Sequence, residues 1–550
     1  MWILILLLHI FLTGTSEADR CVKRKYGYDS FVCVCNATYC DELHPFPTKL
    51  LKEGHYLHYV SSREGKRLES TLSEFKEVTR SEETALFRTN TSVRYQKVLG
   101  FGGAMSDSAA LNIASLSRTA QEKLLRQYFA PEGAEYNIIR IPMGGTDFSR
   151  RHYIYANDQE NLNLTNFNLT EEDLLYKIPI VKRAIHMSVR NISLCTTSWT
   201  SPSWMKEPRN VTGFSTRLRD EFYQLYADYY VRFLDAYEKY GLHFWALSPQ
   251  NEPTSDLYAR FHYNSMSWLP KEEQIFVSQY LGPTLERKGF RDIKIMLNDD
   301  QRFNIPEYAT KLLSDKQTNH YVSGIAVHFY FDSFPNSPTD ILTEFHELFP
   351  DKFILYTEAC IVANLKPGSA NTAVQLGNWD RGENYSFNII QDMNNWAGGW
   401  IDWNLVLNVD GGPNWVGNVV DAAVIVNATA DEFYKQPMFY AQAHFSKFVL
   451  AGSTRIRLHT EDDKGLEHIA FIRPDDVVVI VLLNRCGLLH VEPKSSRCSS
   501  TARRTQSSRW RFTARRTQVF QMRFYCTSNP GLPDALEGWL PCSLVDLKTH

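Results

Sequence analysis

Over residues 98–407, short β-branched or aliphatic runs alternate with longer amphipathic stretches, the pattern of repeated βα units around a parallel sheet. Strand-length runs fall at 99–103, 137–142, 192–196, 244–248, 293–297, 325–329, 353–357 and 400–403. Eight such runs over ~300 residues predict a closed (β/α)8 TIM barrel, an α/β fold. Between two of them, Phe222, Leu225, Tyr226, Tyr229, Phe233 and Tyr237 recur at helical spacing. That stripe reads as a helix packed against the barrel.

Each run leads into chemistry-capable residues: Asp107, Asp147, Trp199, Asn251 with Glu252, Asp299 with Asp300, His328 with Tyr330, Glu358, and Trp403. A TIM barrel gathers those C-terminal strand ends on one face, where its active sites lie. Glycoside hydrolysis needs one carboxyl group to protonate the leaving oxygen and a second to attack or stabilise the anomeric carbon. Glu252 and Glu358 follow the fourth and seventh runs, which can face each other across a barrel mouth.

A lone glutamate after a strand is more often a salt-bridge partner. Here Asn251 directly precedes the acid and Pro253 stiffens the loop after it. The neighbouring Trp199, Phe329, Tyr330 and Trp403 suit the apolar faces of a pyranose ring. The combination points to a glycosidase.

The first 12 residues hold an apolar run too short to span a bilayer, followed by Ser16-Glu17-Ala18, a small-x-small cleavage pattern. Residues 1–18 therefore read as a secretory signal peptide, although no positive charge precedes the apolar run. Eight Asn-x-Ser/Thr sequons, at Asn36, Asn90, Asn163, Asn168, Asn191, Asn210, Asn384 and Asn427, fit the same route. So does the cluster Cys21, Cys33, Cys35 and Cys40, which in an oxidising compartment favours two disulfides over zinc. No other run approaches ~20 apolar residues, so membrane contact is expected to be peripheral.

A formal charge of -3 gives no sign of the basic balance expected of a nucleic-acid binder. No Walker A loop, His-Glu-x-x-His helix or Gly-x-Ser-x-Gly elbow occurs, and the glycines at 100–103 lack the third member of a dinucleotide fingerprint. No cofactor and no metal are expected.

Outside the barrel, residues 47–92 and 453–485 are strand-rich, consistent with a β domain built from both ends of the chain. Residues 494–526 differ in character. They hold nine basic residues, no acidic ones and a duplicated Thr-Ala-Arg-Arg-Thr-Gln, with no clear strand periodicity.

Several stretches together resemble the glucosylceramidase group of glycoside hydrolase family 30. They include the cysteine cluster at 33–40, Gly100-Phe101-Gly102-Gly103-Ala104-Met105, Asn251-Glu252-Pro253, Trp379-Asp380-Arg381-Gly382, Asp402-Trp403-Asn404-Leu405 and Gly411-Gly412-Pro413-Asn414-Trp415-Val416. The resemblance runs over residues 21–485 and ends after Arg485, where the family would complete its β domain.

The resemblance implies a retaining β-glucosidase that cleaves glucosylceramide to glucose and ceramide in the lysosome, with Glu252 as acid/base and Glu358 as nucleophile. It implies a glucose site lined by Asp147, Trp199, Asn251, His328, Tyr330, Trp403 and Asn418, and bridges Cys21–Cys33 and Cys35–Cys40. It also implies a small antiparallel β domain (19–46 plus 405–436), an immunoglobulin-like β-sandwich (47–92 plus 451–490) and a barrel (93–404 plus 437–450). The divergent basic tail at 491–550 reads either as a mispredicted exon or as a genuine segment that leaves the sandwich incomplete or closes it with unrelated residues. Saposin-type activators and anionic lipid would be the partners. Two rival readings are a family hydrolase of another β-glycoside and a weakly active glycolipid-binding protein.

Overall fold

The computed structural model describes residues 20–43, 54–75, 85–156, 160–213, 216–255, 261–362, 373–485 and 518–524. The signal-type segment and most of the basic tail lie outside the described residues.

Eight parallel strands close into a barrel: β1 (Gly100–Ala104), β2 (Ile138–Met143), β3 (Ser193–Ser198), β4 (Phe244–Ser248), β5 (Lys294–Gln301), β6 (Val322–His328), β7 (Phe353–Glu358) and β8 (Ala397–Asn404). Each overlaps one of the predicted runs. Side chains of a strand alternate between faces, so inward positions recur every second residue. Ile138, Cys195, Ala246, Met296, Ala326, Leu355 and Ile401, one from each of seven strands, form a single buried cluster. That layer forms an apolar floor beneath the mouth. Two residues further along, the same inward rows continue as Arg140, His328, Thr357 and Trp403.

Helix Tyr223–Glu238 buries Tyr226, Tyr229, Tyr230, Phe233 and Tyr237, so its aromatic stripe packs as the spacing predicted. Helix Pro437–Ser446 is buried along its whole length, against both the barrel and the β domains.

A five-stranded sheet runs in the order Lys23–Arg24, Val32–Asn36, Glu432–Lys435, Val424–Asn427, Val406–Asn408. It contains the disulfides Cys21–Cys33 and Cys35–Cys40. Its pairings are antiparallel, as expected, except the last, Val406–Asn408 with Val424–Asn427, which is parallel. The chain leaves β8, enters this strand and returns through a long excursion, and such a connection allows parallel entry.

The second attachment is a seven-stranded antiparallel sheet ordered Glu69–Glu74, His55–Ser62, Gln518–Phe524, Val478–Asn484, Leu466–Ile472, Thr454–Asp462, Leu86–Lys97. Val478–Asn484 is buried on both faces: Val479, Val481 and Leu483 join the main core, while Val478, Ile480 and Leu482 join Ile456, Ala470 and Ile472. The fourth to sixth strands in chain order come from the predicted 453–485 region. The seventh, Gln518–Phe524, comes from the tail, where no strand was expected. It joins His55–Ser62 to Val478–Asn484 through continuous ladders on both sides. Phe520, Met522 and Phe524 alternate with Gln521 and Arg523, a period-2 signal hidden by the basic repeats before it.

Candidate active site

Three irregularities in strand register shape the C-terminal mouth. Between β5 and β6, Asn298 pairs Ala326 but Asp300 pairs Val327, leaving Asp299 as an extra residue. Between β6 and β7, Val327 pairs Tyr356 but His328 pairs Glu358, and between β8 and β1, Trp403 is the extra residue. An inserted residue bends a strand and re-aims its side chains. Strict alternation would carry Glu358 away from inward-facing Thr357, so the bulge on β7 lets both groups face the mouth. Asn298, Asp299 and Glu252 also adopt positive φ, at 73°, 44° and 45°, a left-handed conformation uncommon for side-chain-bearing residues and concentrated at functional sites.

Glu252 and Glu358 face one another. Together with His328 they present ligand atoms that all lie within 4.8 Å of one another. Glu358 is buried and accepts hydrogen bonds from Tyr330 Oη at 2.7 Å and from Arg140 Nη1. Arg140 Nη2 donates to Asn251 Oδ1 at 2.8 Å and Asp299 Oδ2 at 3.0 Å. One guanidinium thus orients the Glu358 carboxylate and the asparagine before Glu252, using the fork geometry that suits arginine to such sites.

Glu252, half-buried, receives Gln301 Nε2 at 3.0 Å, and its backbone N–H donates to Asp299 O at 2.9 Å. His328 Nδ1 lies 3.1 Å from Glu252 Oε1, and its Nε2 lies 3.3 Å from Asp299 Oδ1. Burial opposes charge on the imidazole, but Glu358, Asp299 and Glu252 outweigh it and raise the ring to about 10. Asp299 shows the converse. Burial disfavours its charge, yet Arg140 and His328 hold the carboxyl below the usual range.

His328 was expected to line the sugar site. Its ring is fully buried, with both nitrogens facing carboxylates, one of them Glu252. A ring protonated on both nitrogens has no lone pair for a metal, so the Glu252–His328–Glu358 trio is better suited to proton chemistry than to ligating an ion. In the other close group, Cys35, Cys40 and Asp41, both sulfurs are in a disulfide.

Trp199 and Trp403 stack with ring centroids 5.2 Å apart and stand 5.1 and 5.4 Å from the Arg140 guanidinium. They form an aromatic wall beside the carboxylates. Asp147 Oδ2 accepts from Asn418 Nδ2 at 2.9 Å and Asn414 Nδ2 at 3.3 Å, and burial pushes this carboxyl up to about 7. Trp415 Nε1 donates to Thr146 O at 2.8 Å, pinning the loop that carries the two asparagines. All the predicted sugar-site residues are therefore oriented by contacts around one mouth, His328 through Glu252 and Asp299.

Arg140, Gln301 and Thr357 were not singled out from the sequence. The signal for Arg140 was present: a single charge inside the apolar run Ile138-Ile139-Arg140-Ile141 can be buried only beside a counter-charge.

A model of the glycosyl hydrolase family 30 TIM-barrel domain matches residues 98–449, and one of the family's beta sandwich domain matches residues 452–490. The chain is 44% identical to mouse (Mus musculus) lysosomal acid glucosylceramidase over 471 residues, covering 85% of this chain and 90% of that protein. It is 41% identical to putative glucosylceramidase 4 of Caenorhabditis elegans, covering 87% and 91%. Among solved structures, SrfJ from Salmonella typhimurium superposes with a TM-score of 0.73 at 23% identity, covering 86% of this chain and all of that one. That likeness concerns the fold.

Proposed function

Because the chain belongs to glycoside hydrolase family 30, we propose that it is a retaining β-glucosidase that hydrolyses glucosylceramide to glucose and ceramide. The observation that carries the mechanism is the approach of Glu252 and Glu358 to within 4.8 Å. Retaining enzymes hold their carboxyl groups ~5–5.5 Å apart, whereas inverting enzymes separate them by ~6.5–9.5 Å to admit a water.

In this reading Glu358 attacks the anomeric carbon while Glu252 gives its proton to the departing ceramide oxygen. A glycosyl ester forms on Glu358. Glu252, now an anion, takes a proton from water as that water attacks the same carbon, and glucose leaves with its configuration retained. Arg140 and Tyr330 hold the Glu358 carboxylate for in-line attack. Trp199 and Trp403 would pack the ring face, while Asp147 and Asn418 would bond its hydroxyls.

The mouse relative's name supports a lysosomal site of action. Saposin-type activators and anionic lipid surfaces are the proposed partners.

The direct test is incubation with glucosylceramide, following glucose and ceramide by mass spectrometry. An activated 2-fluoroglucoside should leave a covalent glucosyl adduct on the peptide containing Glu358. Hydrolysis of β-1,6-glucan without turnover of glucosylceramide would assign the chain to another specificity of the family.

A further inference from the structure

The seven-stranded sheet opens at a point outside the barrel mouth. Thr454–Asp462 pairs with Leu466–Ile472 only from Thr454 to Ile456. Leu466–Ile472 nevertheless stays paired with Val478–Asn484 along its length, and Thr454–Asp462 continues beside Leu86–Lys97. The two strands therefore splay after Ile456. A cavity of about 340 Å³ lies there, lined in part by Tyr95, Asn394, Arg455, Arg457, His459 and His468, and by no acidic side chain.

Arg455 gives the cavity its character. The residue is only 9% exposed. Its guanidinium lies 3.7 Å from the Tyr95 ring centroid and 5.6 Å from that of Trp396, and its Nε donates to Gln96 Oε1 at 2.9 Å. Ring faces and an amide fix the position of a cation without supplying a counter-charge, and buried charges are ordinarily paired. Among the described residues no carboxylate bonds Arg455 or Arg457. Burial accordingly lowers the Arg455 guanidinium to about 10.

The acids of the two splayed strands are committed elsewhere, Asp462 to Lys464 among them. Glu467 accepts Gln391 Nε2 at 2.8 Å, and Glu461 faces Arg88 at 3.5 Å. At the rim Arg457 and His459 are exposed. Asn394 Nδ2 donates to the His468 carbonyl at 3.0 Å and links the barrel to the cavity wall.

We propose that this cavity binds a small multivalent anion of the phosphate type, with Arg455 at its floor and Arg457 and His459 at its rim. Arginine forks match phosphate oxygens in pairs, and a phosphate would supply the charge that Arg455 lacks. The site uses none of the groups at the barrel mouth and does not depend on the proposed hydrolysis.

The test is calorimetric titration of inorganic phosphate into the full-length protein at low ionic strength, beside sedimentation with phosphatidic acid or phosphatidylcholine vesicles. Saturable binding of phosphate at one site per chain is expected. The Arg457→Gln/His459→Gln variant, altered only at exposed positions, should weaken it by about tenfold or more. Its melting temperature and its hydrolysis of an aryl β-glucoside should match the parent; if the double variant melts early, Arg457→Gln alone serves. Variant-sensitive retention on phosphatidic acid alone would assign the phosphate to a lipid headgroup. Variant-sensitive binding of phosphate without vesicle preference would assign it to a soluble anion. Absence of both kinds of binding, or binding that the variants leave unchanged, overturns the proposal.

Discussion

His328 is bonded to Glu252 through one ring nitrogen at 3.1 Å and to Asp299 through the other at 3.3 Å. Because Arg140 bonds both Asp299 and Glu358, the two facing glutamates are joined through a chain of three buried groups, Arg140, Asp299 and His328. Such a path lets a change of charge on one glutamate be felt at the other, as a double-displacement mechanism requires.

Glu358→Gln should lower turnover of an aryl β-glucoside by about 10⁴-fold or more, since removing a nucleophile eliminates the reaction's covalent route. Azide added to Glu358→Gly should yield an α-glucosyl azide, identifiable by NMR. Near-normal hydrolysis by Glu358→Gln would sink the assignment of this carboxylate.

The imidazole of His328 is raised from an ordinary 6.5 to about 10, so its charge favours the folded state. This stabilisation is whole below about pH 6.5 and disappears as pH climbs through about 10. His328→Gln should lower the melting temperature at mildly acidic pH by several degrees, and the gap from the parent should narrow in strongly alkaline buffer. A gap independent of pH would mean that His328 stabilises by packing alone.

Burial pushes Asp147 to about 7, so it becomes an anion only as pH rises through neutrality. A carboxylate accepts hydroxyl hydrogen bonds more strongly than its neutral acid. Affinity for a neutral thioglucoside should therefore improve by about threefold to tenfold across that range, and Asp147→Asn should flatten the curve. Titration calorimetry at several pH values measures this directly.

Gln521 pairs with Val481 on one side and Tyr59 on the other, in the middle of a sheet. Proline there removes a ladder hydrogen bond and should cost about 3 kcal/mol or more, visible as a marked fall in melting temperature. Gln521→Thr should melt near the parent. Equal melting of all three proteins would show that this segment contributes no strand in solution.

Architecture was far more legible in the sequence than side-chain geometry. Eight apolar runs announced the barrel because each strand is covered on both sides and must be apolar throughout. The two glutamates were legible because Asn251-Glu252-Pro253 is unusual at a strand end. Less legible were the bulges at Asp299, Thr357 and Trp403, since nothing in local composition marks an extra residue in one strand's register. The two ion pairs of His328 were equally hidden, since they depend on the register that brings Asp299 and Glu252 to its ring. The strand Gln518–Phe524 was missed because basic repeats masked five residues of clean alternation, and the parallel pairing of Val406–Asn408 depended on a connection that spacing does not reveal.

The seven-stranded sheet draws its strands from both ends of the chain, and this sets an order of events during synthesis. His55–Ser62, Glu69–Glu74 and Leu86–Lys97 leave the ribosome early, but their partners Thr454–Asp462 and Gln518–Phe524 emerge hundreds of residues later. At ~5–20 residues per second, those early strands wait for tens of seconds with open edges while the barrel emerges and closes. The last strand to be made is the one that joins His55–Ser62 to the rest of the sheet. A lesion in the final 70 or so codons would therefore strike the oldest part of the nascent chain, leaving a finished barrel beside strands still awaiting a partner.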